Sequence, residues 1–131
     1  MDVKTAFLNG VLEEVVFMKL PPGIGLQSNL CKLNKSIYGL KQSSRSWNLR
    51  FDNFITNLRF KRLDSDTCVY VSTERGLYII LNVADILIFG HDPTQIEWLK
   101  YNLSKEFEMK DLGELSHFLG MDIKRNLEKG R

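Results

Sequence analysis

Between Cys68 and Gly90 three apolar runs follow one another with almost nothing between them. Cys68-Val69-Tyr70-Val71-Ser72 leads through Thr73-Glu74-Arg75-Gly76 into Leu77-Tyr78-Ile79-Ile80-Leu81. Val83-Ala84-Asp85 then leads into Ile86-Leu87-Ile88-Phe89-Gly90. A parallel return needs a crossover of a dozen or more residues, so such short connections force antiparallel hairpins. The second hairpin is so tight that Asp85 is predicted at its tip.

Strands this apolar need a covering layer. In Gln42 to Arg62 the residues Trp47, Phe51, Phe54, Ile55 and Leu58 fall on one face at helical spacing. Arg45, Asn48, Asp52, Asn53, Arg59 and Arg62 occupy the opposite face, and Ser43 or Ser44 is available as a cap. A second helix opens at Asp92-Pro93-Thr94-Gln95, with aspartate at N-cap, proline at the first helical position and glutamine where a capping box places it. Ile96, Leu99, Leu103 and Phe107 form its stripe.

Elsewhere Val15-Val16-Phe17-Met18 reads as a strand and Pro21-Pro22-Gly23-Ile24-Gly25 as a loop. Thr5 to Leu12 is ambiguous, a helical turn broken at Asn9-Gly10. Gly113 ends a loop before a last strand over Leu115 to Ile123. Two helices with five or six short strands, joined by hairpins, predict an α+β domain with a largely antiparallel sheet. At 131 residues the chain has room for one such domain, residues 1–131, with no internal repeat.

Apolar residues at 44% and charged residues at 26% exclude a disordered chain. No apolar stretch approaches the ~20 residues of a membrane span, so no membrane partner is expected. Met1-Asp2-Val3-Lys4 does not read as a signal peptide. Cys31 and Cys68 belong to no metal-binding motif, which makes a reducing compartment the default; the sequence carries no localisation signal, and an intracellular site, cytoplasm or nucleus, is favoured. Charge is unevenly placed: residues 28–62 hold eight bases and one acid, although the whole chain carries only +2. A block of this kind either faces phosphate or is simply a solvated helix face.

His91 and His117 are isolated, no glycine-rich phosphate loop is present, and no serine sits in a nucleophile elbow. The carboxylates Asp2 and Asp85 remain as candidate chemistry, although an aspartate in a hairpin is ordinarily a turn residue.

Three blocks carry a family resemblance. They are Asp2-Val3-Lys4-Thr5-Ala6-Phe7-Leu8-Asn9-Gly10, Leu33-Asn34-Lys35-Ser36-Ile37-Tyr38-Gly39-Leu40-Lys41-Gln42 and Lys105-Glu106-Phe107-Glu108-Met109-Lys110-Asp111-Leu112-Gly113. In order and spacing they resemble the reverse transcriptase of copia-type retrotransposons across essentially the whole chain. The resemblance implies a polymerase palm, an antiparallel sheet with a catalytic-type hairpin packed by two helices. It implies two-metal nucleotidyl transfer with Mg²⁺ as cofactor, an RNA or DNA template-primer and a dNTP as substrates, and the remainder of a Pol polyprotein as partner.

Carried over residue by residue, the first metal-binding carboxylate is Asp2, and the hairpin tip Tyr-Val-Asp-Asp of the family corresponds to Asn82-Val83-Ala84-Asp85. Phe7 matches the aromatic residue that excludes a ribose 2′-hydroxyl, while Tyr38, Gly39, Lys41, Gln42 and Arg45 match the substrate-binding second motif. Lys110 matches a lysine that can protonate pyrophosphate.

The chain departs from the family at the chemistry. Ala84 replaces the first of the paired aspartates, leaving only Asp2 and Asp85 as metal ligands, and Asn82 replaces the tyrosine. Ser43-Ser44 replaces the usual Ala-Pro after the second motif. The chain is therefore expected not to polymerise DNA at a useful rate. Fingers and thumb are expected to be missing, Asp2 is expected on a fraying terminus, and an exposed sheet edge is expected beside it. A nucleic-acid-binding or protein-interaction module without catalysis is the alternative reading, and activity within a larger assembly is a further one.

Overall fold

The computed structural model describes residues 1–24 and 29–124; Gly25 of the expected loop lies outside them. Within these residues the meander forms as read from the sequence. Strands β5 (Val69–Ser72), β6 (Leu77–Asn82) and β7 (Asp85–Gly90) pair antiparallel in succession. Lys61–Arg62 (β4) pairs with β5 on the outer side. On the other side β7 pairs with the two-residue strand β1 (Asp2–Val3), which pairs in turn with β8 (Met109–Lys110). The sheet order is therefore β4-β5-β6-β7-β1-β8.

This corrects the expectation for Asp2. It sits inside the sheet between two partners, and the sheet's edges are β4 and β8. The placement follows from hydrogen bonds that need only two residues. The Val3 amide donates to the Ala84 carbonyl at 2.9 Å, and the Ile86 amide donates to the Met1 carbonyl at 2.8 Å. The Lys4 amide donates to the Glu108 carbonyl at 2.9 Å. Val3, 2% exposed, then drives its side chain into the core.

Helices α1 (Ser43–Asn57) and α2 (Pro93–Glu106) supply the core stripes expected from their periodicity. Trp47, Phe51 and Ile55 of α1 and Leu99 and Leu103 of α2 are buried with Tyr70, Leu77, Ile79, Leu81 and Ile86 of the sheet. An aromatic cluster joins the layers: Trp47 meets Phe107 edge-on at 5.2 Å between ring centroids, and Phe51 meets Tyr70 at 5.6 Å. Burial, with Asp52 nearby, pushes the Tyr70 phenol up to about 12.

The helix ends differ from the sequence reading in an instructive way. α1 stops at Asn57, five residues early, because Leu58 to Phe60 turn back on the helix and Lys61–Arg62 join the sheet. No serine side chain caps its start; the Ser43 hydroxyl bonds the Ile37 carbonyl instead. At α2 the Asp92 carboxylate accepts from the Thr94 amide at 2.8 Å and from its hydroxyl at 2.6 Å, with Pro93 next in line. Those bonds hold Asp92 below the usual carboxylate range. Gln95 does not close a capping box, since its side-chain oxygen accepts from Arg75, whose guanidinium lies 3.6 Å over the Trp98 ring.

Outside this sheet, Ala6–Asn9 form one turn of 3-10 helix, resolving the ambiguous stretch. β2 (Val11–Lys19) and β3 (Leu30–Lys35) make a two-stranded ribbon with a bulge between Val11 and Val16. The ribbon meets α1 at Gly10, where a Cβ would lie 2.6 Å from the Ser36 hydroxyl and 2.9 Å from Ser46 Cβ, so only glycine fits. In place of one final strand, β9 (His117–Phe118) and β10 (Met121–Asp122) form a small hairpin.

The turn joining β6 and β7 is Val83-Ala84, with Asn82 paired to Asp85, so Asp85 opens β7 and is not at the tip. Val83 carries φ +54°, a conformation that β-branched residues rarely adopt. The Trp47 indole donates to the Val83 carbonyl at 2.6 Å and ties the turn to α1. Trp47→Phe removes that donor and is expected to cost about 1–3 kcal/mol, read as a lower urea midpoint with unchanged slope. Val83→Gly is expected to move the midpoint the other way, because it relieves a left-handed valine.

Candidate functional site

Because β7, β1 and β8 pair in strict register, one row of side chains crosses the sheet. Asn82 is opposite Asp85, Asp85 is opposite Asp2, and Asp2 is opposite Lys110. Directly opposed residues of antiparallel strands hold their Cβ atoms about 4.5–5.5 Å apart. Their neighbours Leu81, Ile86, Val3 and Met109 pack into the core, so the row lies on the sheet face turned away from the helices. Asp2 and Asp85 are half-buried and Lys110 is exposed. The structure thus brings together both carboxylates named from the sequence and the lysine from a segment a hundred residues away.

Lys110 is held beside Asp2 by its neighbour. Asp111 accepts from the Lys100 ammonium of α2 at 3.0 Å, and Lys100 also reaches Glu97 at 2.9 Å. The Gly113 amide and then Lys100 hold the Asp111 carboxyl below its ordinary range. Glu97 and then Asp111 raise the Lys100 ammonium.

Ala84 occupies different surroundings. It lines a cavity of about 480 Å³ with Val3, Ala6, Phe7, Leu8, Ile37, Tyr38 and Val83. Phe7 and Tyr38 pack as a tilted ring pair in its lining, ring centroids 6.0 Å apart, and Tyr38 is 88% exposed. Phe7 is held by the short 3-10 turn, and the Phe7 carbonyl accepts from the buried Ser36 hydroxyl. Gly39 follows Tyr38 with φ +96° and open space where a Cβ would be, so the turn's conformation is what asks for glycine there. Lys41 and Gln42 lead into α1 and Arg45 lies in its first turn; Gln42 and Arg45 line a second groove of about 290 Å³ with Glu13 and Glu14 of β2.

The position that the resemblance gives to a metal ligand therefore presents a methyl group to an apolar cavity. Among the described residues no group of three or more His, Cys, Asp or Glu side chains is placed to hold a metal ion. Asp2 and Asp85 alone make a two-carboxylate set flanked by a lysine, a poor fit for a pair of divalent cations that each need several oxygen ligands. Sequence reasoning missed the lining residues Val3, Ala6, Ile37 and Leu8 and the Trp47 tether. The only signal for them was their closeness in sequence to Asp2, Tyr38 and the helix start.

The basic block is partly neutralised. Arg50 pairs with Glu106, Arg59 with Glu74 and Arg62 with Asp52. Lys32, Lys35, Lys41, Arg45 and Lys61 form no ion pair among the described residues.

An α+β domain with carboxylates on adjoining antiparallel strands is the frame in which the comparisons fall. The family model for reverse transcriptase (RNA-dependent DNA polymerase) matches residues 1–130. The chain belongs to the reverse transcriptase family. It is 47% identical to the retrovirus-related Pol polyprotein from transposon TNT 1-94 of Nicotiana tabacum, over 95% of this chain and 10% of the relative. It is 41% identical to the corresponding polyprotein from transposon RE1 of Arabidopsis thaliana, over 95% of this chain and 9% of the relative. A putative transposon Ty5-1 protein of Saccharomyces cerevisiae is 37% identical over 94% of this chain and 42% of its own length. The chain thus spans about a tenth of the first two relatives. No solved structure matches. Among the described residues no helix is long and apolar enough to cross a membrane.

The Lys100–Asp111 contact gives a pH test. A carboxyl lowered from its ordinary value of 3.8 stabilises the fold above that pH and loses its contribution as pH falls through the lower folded value. A lysine raised above 10.5 contributes fully below that pH and loses its share only above it. Asp111→Asn is expected to lower the urea midpoint at neutral pH, and the gap to wild type is expected to close on acidification below 3.8.

Proposed function

We propose that this chain is a palm-like unit of a retrotransposon reverse transcriptase whose nucleotidyl transfer is silenced at Ala84. The observation that carries the reading is the split between the carboxylate row and the turn. Asp2 and Asp85 stand side by side on β1 and β7, while the residue before Asp85 has no side-chain oxygen and lines an apolar cavity. In the family two divalent ions, Mg²⁺ by the usual preference for hard oxygen ligands, activate the primer hydroxyl and stabilise the leaving pyrophosphate. This chain's donor set, Asp2 and Asp85 beside Lys110, does not fit that pair. What its own residues retain is positional. Phe7 and Tyr38 flank a cavity beside the turn, Gly39, Lys41, Gln42 and Arg45 lead away from it, and Lys110 stands next to Asp2.

Template-primer and dNTP are the substrates this reading gives to the whole enzyme, and the remainder of a Pol polyprotein is its partner. The purified chain is expected to give no Mg²⁺-dependent primer extension above a protein-free control. Loss of one ligand from such a site costs several kcal/mol in the transition state, with each ~1.4 kcal/mol a factor of ten. Extension that stops on adding EDTA overturns the reading.

A second reading, nucleic-acid binding without chemistry, is favoured by the five bases of the 28–62 block that form no ion pair among the described residues, Lys32, Lys35, Lys41, Arg45 and Lys61. It is expected to show as binding that weakens steeply with salt and is indifferent to Mg²⁺.

A further inference from the structure

The β2–β3 ribbon has a face that neither the core nor the carboxylate row uses. Beyond the bulge Phe17 is opposite Lys32 and Lys19 is opposite Leu30, so these four side chains share one face. Their neighbours Val16, Met18, Cys31 and Leu33 are half-buried on the other. Phe17 is 60% exposed. One exposed phenylalanine is ordinary on a protein surface. This one stands between two lysines, one directly across and one two residues on, about 7 Å along the strand. Neither lysine forms an ion pair among the described residues. The unneutralised Lys35, Lys41 and Arg45 lie toward the ribbon's base and the adjoining start of α1, while Glu13 and Glu14 are set apart from Phe17 by their place in the bulged stretch.

An exposed ring flanked by cations suits a ligand that offers a flat apolar face and negative charge in alternation. Single-stranded nucleic acid does so, since an unpaired base can stack on an aromatic ring while its flanking phosphates meet lysine. A duplex buries its base faces in its own stack and has nothing to offer Phe17. We propose that this face is a platform for single-stranded nucleic acid, with Phe17 under a base and Lys19 and Lys32 on the adjoining phosphates. The inference rests on the nucleic-acid reading above and adds where, and by what contact, the strand is held.

Fluorescence anisotropy on the full chain, with a labelled oligothymidylate and a matched hairpin duplex, tests it. Phe17→Ala is expected to weaken single-strand binding about tenfold and leave duplex binding unchanged, while Phe17→Trp retains both. Lys19→Gln and Lys32→Gln are each expected to reduce the single-strand salt slope by about 0.7. Phe17 is largely exposed, so Phe17→Ala is expected to fold as wild type, and circular dichroism checks this. If Phe17→Ala binds the single strand as wild type does while Lys41→Gln or Arg45→Gln weakens it, the platform is overturned and the nucleic-acid reading stands. If the wild-type chain binds neither oligonucleotide, both fall.

Discussion

A single hydrogen bond, from the Trp47 indole to the Val83 carbonyl, ties the β6–β7 turn, and with it the carboxylate end of the sheet, to α1. The β6–β7 turn carries a left-handed valine, a conformation that has to be held by its surroundings. Trp47 holds it while packing against Phe51 and Phe107, so the helix, the turn and the C-terminal end of α2 share one anchor. With the turn fixed, the Ala84 carbonyl is in position to receive Val3, and β1 can enter the sheet. The order of dependence is aromatic core, then turn, then β1, then the carboxylate row.

That order separates two environments only one residue apart. Asp85 begins a strand and shares a sheet face with Asp2 and Lys110. Ala84 belongs to the turn and packs with apolar residues. A carboxylate at position 84 would need a cation or a hydrogen-bonding partner to be accommodated beside Val3 and Phe7, whereas alanine needs none. Alanine is thus structurally comfortable in this turn.

Much of the architecture was legible in the sequence because its signals were local. The meander from Val69 to Gly90 and the two helix stripes follow from periodicity, and the Asp92-Pro93 start follows from capping chemistry. What was not legible depends on long-range partners. Two residues, Asp2 and Val3, carry no strand signal, and their place inside the sheet is decided by β7 and β8. The α1 end was misread because apolar Leu58 fits the helical spacing although Arg59 takes a positive φ and turns the chain. β3 went unread because lysine and asparagine interrupt its apolar positions. Of the site, Asp2 and Asp85 were named as the carboxylates left once other chemistry was excluded and Lys110 from a family resemblance, but only strand register puts them in one row. The assignment of Asp85 to the tip failed by one residue, which is what a two-residue turn leaves undetermined until the pairing of Asn82 with Asp85 is known.

The brevity of β1 has a mechanical consequence. The two residues of β1, with Lys4 beside them bonded to Glu108, are the suture between the four-stranded meander and β8, which is otherwise moored to α2. Opening that suture breaks a handful of backbone bonds and leaves the aromatic core untouched, so β8 and Lys110 can part from Asp2 without global unfolding. The Lys4 amide proton, which is donated to Glu108, should then exchange with solvent well ahead of those of Ile79 and Leu81, and the row would lose and regain Lys110 on that faster clock.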